Sequence, residues 1–115
     1  MPLTVVEYVR EDGSNSYREW FDGLDPQAAA KVATAILRLE MGNTSRVKWI
    51  GTIGEYRIDG GPGYRIYLAR DSEGLIVLFG GGTKSRQQSA IRRVEALFSE
   101  YKARKAAIAR PKRKR

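Results

Sequence analysis

Residues 55–70 read Glu-Tyr-Arg-Ile-Asp-Gly-Gly-Pro-Gly-Tyr-Arg-Ile-Tyr-Leu-Ala-Arg. Asp59-Gly60-Gly61-Pro62-Gly63 is an unbroken run of turn formers, so the chain must reverse there. On either side the residues alternate as they do along strands. Tyr56, Ile58, Tyr64, Ile66 and Leu68 supply an apolar face fit for a core. Glu55, Arg57, Arg65, Tyr67 and Ala69 fall on the opposite face. Cross-strand neighbours sit roughly 5 Å apart, which gathers Arg57, Arg65 and Tyr67. Two guanidiniums and a phenol on the wet face of a sheet suit a phosphate diester.

Working outward, Leu75 to Phe79 is apolar throughout and reads as a strand buried on both faces, central in the sheet. The turn Asp71-Ser72-Glu73-Gly74 joins it to the hairpin. Gly80-Gly81-Gly82-Thr83-Lys84 reads as a loop, and Ser85 with Gln88 as a capping box opening a last helix. The apolar side of that helix is Ile91, Val94, Leu97, Phe98 and Tyr101. Before the hairpin, Thr44 to Ile53 is either a loop or an irregular strand. Upstream lies a helical hairpin. Ser16 and Glu19 form a capping box for a short helix carrying Tyr17, Trp20, Phe21 and Leu24. Asp25 caps a second helix that has Pro26 in its first turn, and Val32, Ala35, Ile36 and Leu39 as its stripe. Gly42-Asn43 ends it. Leu3 to Val9 reads as a strand. The expected fold is α+β in a single domain: strand, helical hairpin, three-strand antiparallel meander, helix.

The chain has 115 residues, 21 Lys and Arg, 13 Asp and Glu, and neither His nor Cys. That length supports one domain with a core of its own. Without Cys there is no disulfide framework. Without His, Ser-His or Cys-His nucleophile pairs and His-ligated zinc are excluded. No acidic cluster suggests a metal site, and no cofactor is implied. No apolar run approaches a membrane span, and no signal-peptide layout opens the chain, so a soluble cytoplasmic protein is expected. The net charge of +8 sits in the eight basic residues after Tyr101. Residues 1–101 are expected to form the domain and residues 102–115 a basic tail, which extends the last helix a little through Ala106, Ala107 and Ile108 before Pro111 and the charge run bring disorder. Within the domain, residues 41–93 carry nine basic against four acidic residues. That asymmetry favours a polyanionic partner.

Each candidate site residue has a plainer reading. Arg57, Arg65 and Tyr67 could be an ordinary solvated strand face, and Tyr64 could be core. The Gly80–Lys84 loop could be a simple connection, or its amides and Lys84 could meet a phosphate. Trp49, beside Lys48 and Arg46, either packs in the core or stacks on a base. The basic tail either contacts nucleic acid or is merely solvated.

Gly61-Pro62-Gly63-Tyr64-Arg65-Ile66-Tyr67, preceded by Glu55-Tyr56-Arg57-Ile58, resembles the signature of addiction-module killer proteins. These form the HigB-like, phage-derived branch of the RelE/ParE toxin superfamily. Gly81-Gly82-Thr83-Lys84-Ser85-Arg86-Gln87 resembles that branch's second signature, Gly-Gly-Asp-Lys-Ser-Thr-Gln. The likeness extends over about residues 4–101, including Trp20-Phe21, Leu37-Arg38-Leu39 and Gly42-Asn43. It implies a small toxin of a type II toxin–antitoxin module, neutralised by a helix-turn-helix antitoxin, that cleaves mRNA on the translating ribosome. Carried over by motif position, Arg57, Tyr64, Arg65, Tyr67, Lys84 and Gln87 become candidates, with Arg86, Lys48 and Trp49 as further RNA contacts. Two departures stand out. Thr83 replaces an Asp, and Ala90 stands where the branch often has another.

RNA brings its own nucleophile, the 2′-hydroxyl, so a metal-independent endoribonuclease needs only a base, a cation for the phosphorane and a proton donor. Lys84 is the candidate base, or Glu55 if it shares the face of Arg57. Arg65 would clamp the phosphate with help from Arg57, and Tyr67 would protonate the leaving oxygen or stack on a base. Arg65→Ala is expected to abolish toxicity and leave the fold intact. Two alternatives remain: a ParE-like protein that poisons DNA gyrase without cleaving RNA, and a degenerate homologue that only binds.

Overall fold

The computed structural model describes residues 2–109. Five strands form one sheet in the order β1-β5-β4-β3-β2. They are β1 (Val5–Glu7), β2 (Val47–Ile50), β3 (Ile53–Ile58), β4 (Tyr64–Arg70) and β5 (Ile76–Thr83). The helices are α1 (Ser16–Asp22), α2 (Pro26–Glu40) and α3 (Gln87–Ala109), the last preceded by a 3-10 turn at Lys84–Arg86. β1 runs parallel to β5, and all other pairings are antiparallel. The N-terminal strand is shorter than the apolar run suggested. The ambiguous stretch before the hairpin is a true edge strand, β2.

The expected hairpin forms in the register its alternation implies, with Arg57 opposite Arg65 and Tyr56 opposite Ile66. Its apolar face packs under the helical hairpin. Tyr56, Ile66 and Leu68 join Tyr17, Val32, Ala35 and Leu39 there. The other face is not wet along its whole length. Ile53, Tyr67 and Ala69 lie beneath α3 with Val94, Leu97 and Phe98. The helix must sit there because β5 is apolar on both sides, and Val77 and Phe79 need cover opposite to that of Ile76 and Leu78.

β5 also runs further than expected. Gly80, Gly81 and Gly82 are strand residues paired with Tyr67, Ile66 and Arg65. Gly81 must be a glycine because of what lies over it. A Cβ on Gly81 would overlap the Trp20 indole, which rests directly on the backbone. Between Leu78 and Gly80 the register slips, leaving Phe79 as an extra residue in a bulge.

Helix starts differ from the capping boxes read in sequence. α1 is capped by Asn15, whose side chain accepts from the Arg18 amide, one residue before the expected Ser16. The Ser85–Gln88 box does not form: the chain tightens into the 3-10 turn after Thr83, with no side-chain cap. α2 begins as expected, with the Asp25 side chain accepting from Ala28. The expected extension of the last helix past Tyr101, through Ala106, Ala107 and Ile108, is present in α3. Residues 102–109 continue the helix, and Arg104 and Lys105 tie it to the body. Arg104 donates to the Val9 carbonyl, and Lys105 bonds Asp71 at 2.6 Å. The rest of the expected disordered tail, residues 110–115, lies outside the described residues.

Asp71 fastens this end. It accepts from Lys105, from the Tyr101 hydroxyl, and from the amides of Glu73 and Leu75. Burial alone would raise its carboxyl, but those donors outweigh burial and hold it at about 2. A carboxyl depressed in the folded state stabilises above its unfolded value, near 3.9, and loses that contribution as pH falls toward about 2. Thermal melts from pH 6 to 2 are therefore expected to fall more steeply for the parent than for Asp71→Asn below pH about 4. Gly81→Ala is expected to cost about 3 kcal/mol. Adding Trp20→Leu should recover part of the loss in denaturant unfolding, whereas strictly additive losses would show that the indole is not what the methyl meets.

Candidate functional site

The face beneath the start of α3 carries the site. β3 supplies Glu55 and Arg57 at spacing two, β4 supplies Arg65 and Tyr67, and α3 opens with Gln87 directly above. Glu55 has no solvent exposure. Its Oε1 accepts from Arg57 Nε at 2.9 Å and lies 3.6 Å from Arg65 Nε. Its Oε2 accepts from Gln87 Nε2 at 2.7 Å. A carboxylate with no water around it requires this neutralisation.

The arrangement is not optimised for stability. Arg65 Nε and the Tyr67 hydroxyl are both buried, and neither has a hydrogen-bond partner among the described residues. The unpartnered hydroxyl costs about 1–3 kcal/mol, whereas Arg65 Nε, 3.6 Å from Glu55 Oε1, keeps the attraction of that carboxylate. Burial pushes the Tyr67 phenol up to about 12, and the Glu55 charge pushes the same way. Buried charge, orphaned donors and perturbed protonation collected in one place are the marks of a functional site.

The site opens toward the glycine turn. Gly82 faces Arg65 across the sheet, and a Cβ there would meet nothing within 4 Å. The backbone therefore forms a bare ledge beside the guanidinium. Lys84 borders this ledge. Its amide donates to the Gly63 carbonyl at 2.8 Å. Gly63 has φ +70, and a Cβ on it would lie 3.5 Å from Lys84 Cβ and 3.6 Å from Arg65 Nη1. Glycine is favoured there by its positive φ, and Lys84 and Arg65 both border the turn. The adjoining groove at the start of α3 is lined by Lys84, Arg86, Gln87 and Arg92.

The sequence candidates separate accordingly. Arg57, Arg65, Tyr67 and Gln87 meet around Glu55, with Lys84 and Arg86 on the rim. Tyr67 is nevertheless fully covered, so the expectation of a phenol on a wet face is corrected: the first turns of α3 close over it. Arg65 is 6% exposed rather than open to solvent. Arg65→Ala would therefore leave a gap beside Glu55, and the expected fold-neutral knockout is better made at Arg57, whose side chain is 40% exposed. Tyr64 lies on the opposite face of β4 from Arg65, paired between Ile58 and Thr83. Trp49 is on that same far side, over Gly54 and beside Leu68, so it does not join the arginines. Lys48 sits opposite Glu55 on β2 but is exposed at the sheet edge. Glu55 is the residue that sequence reasoning left conditional. Its signal was present: it alternates with Arg57 on one strand face.

Among the described residues, no group of three or more carboxylates is placed to hold a metal ion. No helix there is long and apolar enough to cross a membrane.

No protein-family model matches the chain, and no solved structure matches it. An uncharacterized protein of Haemophilus influenzae is 37% identical over 87 residues, covering 74% of this chain and 88% of that protein. The chain belongs to the same family as that protein. A shared segment spanning nearly all of the relative points to a family unit close in size to the domain described above.

The orphaned hydroxyl gives a direct test of this description. Tyr67→Phe removes a buried group without a partner and leaves the ring. Its unfolding free energy, measured in urea, is expected to equal the parent's or exceed it by up to about 1 kcal/mol. A loss larger than that would mean the hydroxyl is bonded.

Proposed function

We propose that this protein is a RelE/ParE-like toxin of a type II toxin–antitoxin module, and that it blocks translation by cleaving mRNA on the ribosome without a metal. The observation that carries the reading is the Glu55 cluster. A fully buried carboxylate holds Arg57, and with it Arg65, beneath an open glycine ledge bordered by Lys84. The two signature segments supply every member of that constellation. A helix-turn-helix antitoxin is the partner that this reading implies.

The chemistry needs few groups. The RNA 2′-oxygen attacks its neighbouring phosphorus and the bond to the 5′-oxygen breaks, leaving a 2′,3′-cyclic phosphate and a 5′-hydroxyl. Lys84, exposed on the rim, takes the proton of the 2′-hydroxyl in its neutral form. Arg57 stabilises the phosphorane charge, and Arg65 steadies it from below. Glu55 is too deeply buried to reach the nucleophile and acts as the positioning residue for Arg57. Tyr67 is covered, so the leaving oxygen takes its proton from solvent. Thr83, where the branch carries Asp, leaves Lys84 without a carboxylate beside it in sequence.

The test is a translation reaction with one defined mRNA, mapped by primer extension. Parent protein is expected to give discrete cuts on translated message. Arg57→Ala and Lys84→Ala should each reduce cutting about 100-fold or more while melting like the parent. Tyr67→Phe should retain cutting within about threefold, because a covered phenol that donates no proton can be lost without cost to the step. Intact mRNA with the parent protein would overturn the nuclease reading, and toxicity under those conditions would point to gyrase.

A further inference from the structure

A second basic feature lies on the other side of Arg57. Between α2 and the end of β3 is a cleft of about 520 Å³ whose polar lining is Lys31, Thr34, Arg38, Arg46, Arg57 and Asp59. Three cations, Lys31, Arg38 and Arg46, line it against the single carboxylate of Asp59, and Arg57 borders it with its guanidinium turned to Glu55 on the other face of the sheet. Lys31, Thr34 and Arg38 follow one another at helical spacing on one side of α2. Lys31 reaches across to the glycine turn, with its Nζ 3.5 Å from where a Cβ on Gly60 would stand. The floor is Ala35, Tyr56 and Ile58.

These cations are not ordinary surface charge. Residues 1–40 hold seven acidic and four basic residues. Two of the four, Arg10 and Arg18, are bonded to carboxylates. The other two are Lys31 and Arg38, and both line the cleft. Among the described residues neither they nor Arg46 has a carboxylate within 4.0 Å. An acid-rich segment has thus kept its acids away from one groove. Lys31 and Arg38 are about 10 Å apart along the helix axis, too far for one phosphate to bridge. The cleft suits a chain of anions over an apolar floor better than a single ion.

We infer that this cleft carries the sugar–phosphate backbone of the RNA strand on its way to the Arg57–Arg65 face, with successive phosphates against Lys31, Arg38 and Arg46. The inference rests on the RNA reading above, and Arg57 joins the two because it both lines the cleft and bonds Glu55. The strand would pass the glycine turn, leaving the sheet edge at Arg46 as its outer limit.

Binding of a fluorescein-labelled, unstructured 12-nucleotide RNA to the full chain, followed by anisotropy over a salt series, tests the path. Lys31→Gln/Arg38→Gln keeps good helix formers on α2 and is expected to bind about tenfold more weakly. Its salt slope should fall by about 1.4, or about 0.7 for each lost phosphate contact. Arg70→Gln/Lys102→Gln removes the same charge elsewhere and should keep the parent slope. Equal weakening and equal slopes in both double variants would overturn the inference, since attraction would then follow net charge alone. Parent-like binding by Lys31→Gln/Arg38→Gln would also overturn it while the RNA reading stood. A parent protein that binds no RNA at low salt would overturn both.

Discussion

The structure depends on the first half of β5, Ile76 to Gly80, having no side that faces water. It is flanked by β1 and β4 within the sheet, and its side chains from Ile76 to Phe79 are almost fully buried. A strand apolar on both faces must be covered twice. The chain does this with the helical hairpin on one side and α3 on the other. Everything else follows from how closely those covers approach. Trp20 lies flat on Gly81, so α1 can touch the strand itself. On the opposite side α3 begins only after a 3-10 turn, and its first polar residue, Gln87, is lowered onto Glu55. The candidate site sits where an apolar sandwich gives way to charge.

That transition is costly, which makes it informative. Cores are usually completed with more apolar volume, and burying an ion pair rarely improves stability over a well-packed apolar alternative. Here the same strand row that continues the core through Ile53 and Ala69 turns to Glu55 and Tyr67, then to Arg57 and Arg65. Two of the donors gathered there remain without partners among the described residues. The protein tolerates this locally because the surrounding sheet is fixed by the aromatic cluster of Tyr8, Phe79, Phe98 and Tyr101.

Much of this could be read in the sequence, and the exceptions have physical causes. Alternation placed each hairpin side chain on its correct face, because period two is a local property. The double burial of Leu75–Phe79 was legible from composition alone. The extent of β5 was not, because glycine signals a loop unless one knows that an indole will cover it, and Trp20 is sixty residues away. The capping boxes misled by one residue at α1 and failed at α3, where the neighbouring sheet, not a side chain, sets the helix start. The same non-local cause hid Tyr67: whether a strand face is wet depends on a helix that begins twenty residues later. Trp49 and Tyr64 lie near cations in sequence, but strand geometry sends them to the far face.

One feature of α3 joins these regions. The helix runs for 23 residues, about 34 Å, without a break. At its first residue Gln87 grips the buried carboxylate, and near its last turns Arg104 and Lys105 are fastened to the Val9 carbonyl just past β1 and to the Asp71 turn. A rod pinned at both ends and bedded in the middle on Val94 and Phe98 is held against rocking, so the seat of Gln87 over Glu55 depends on the whole length of the helix and not on its first turn alone.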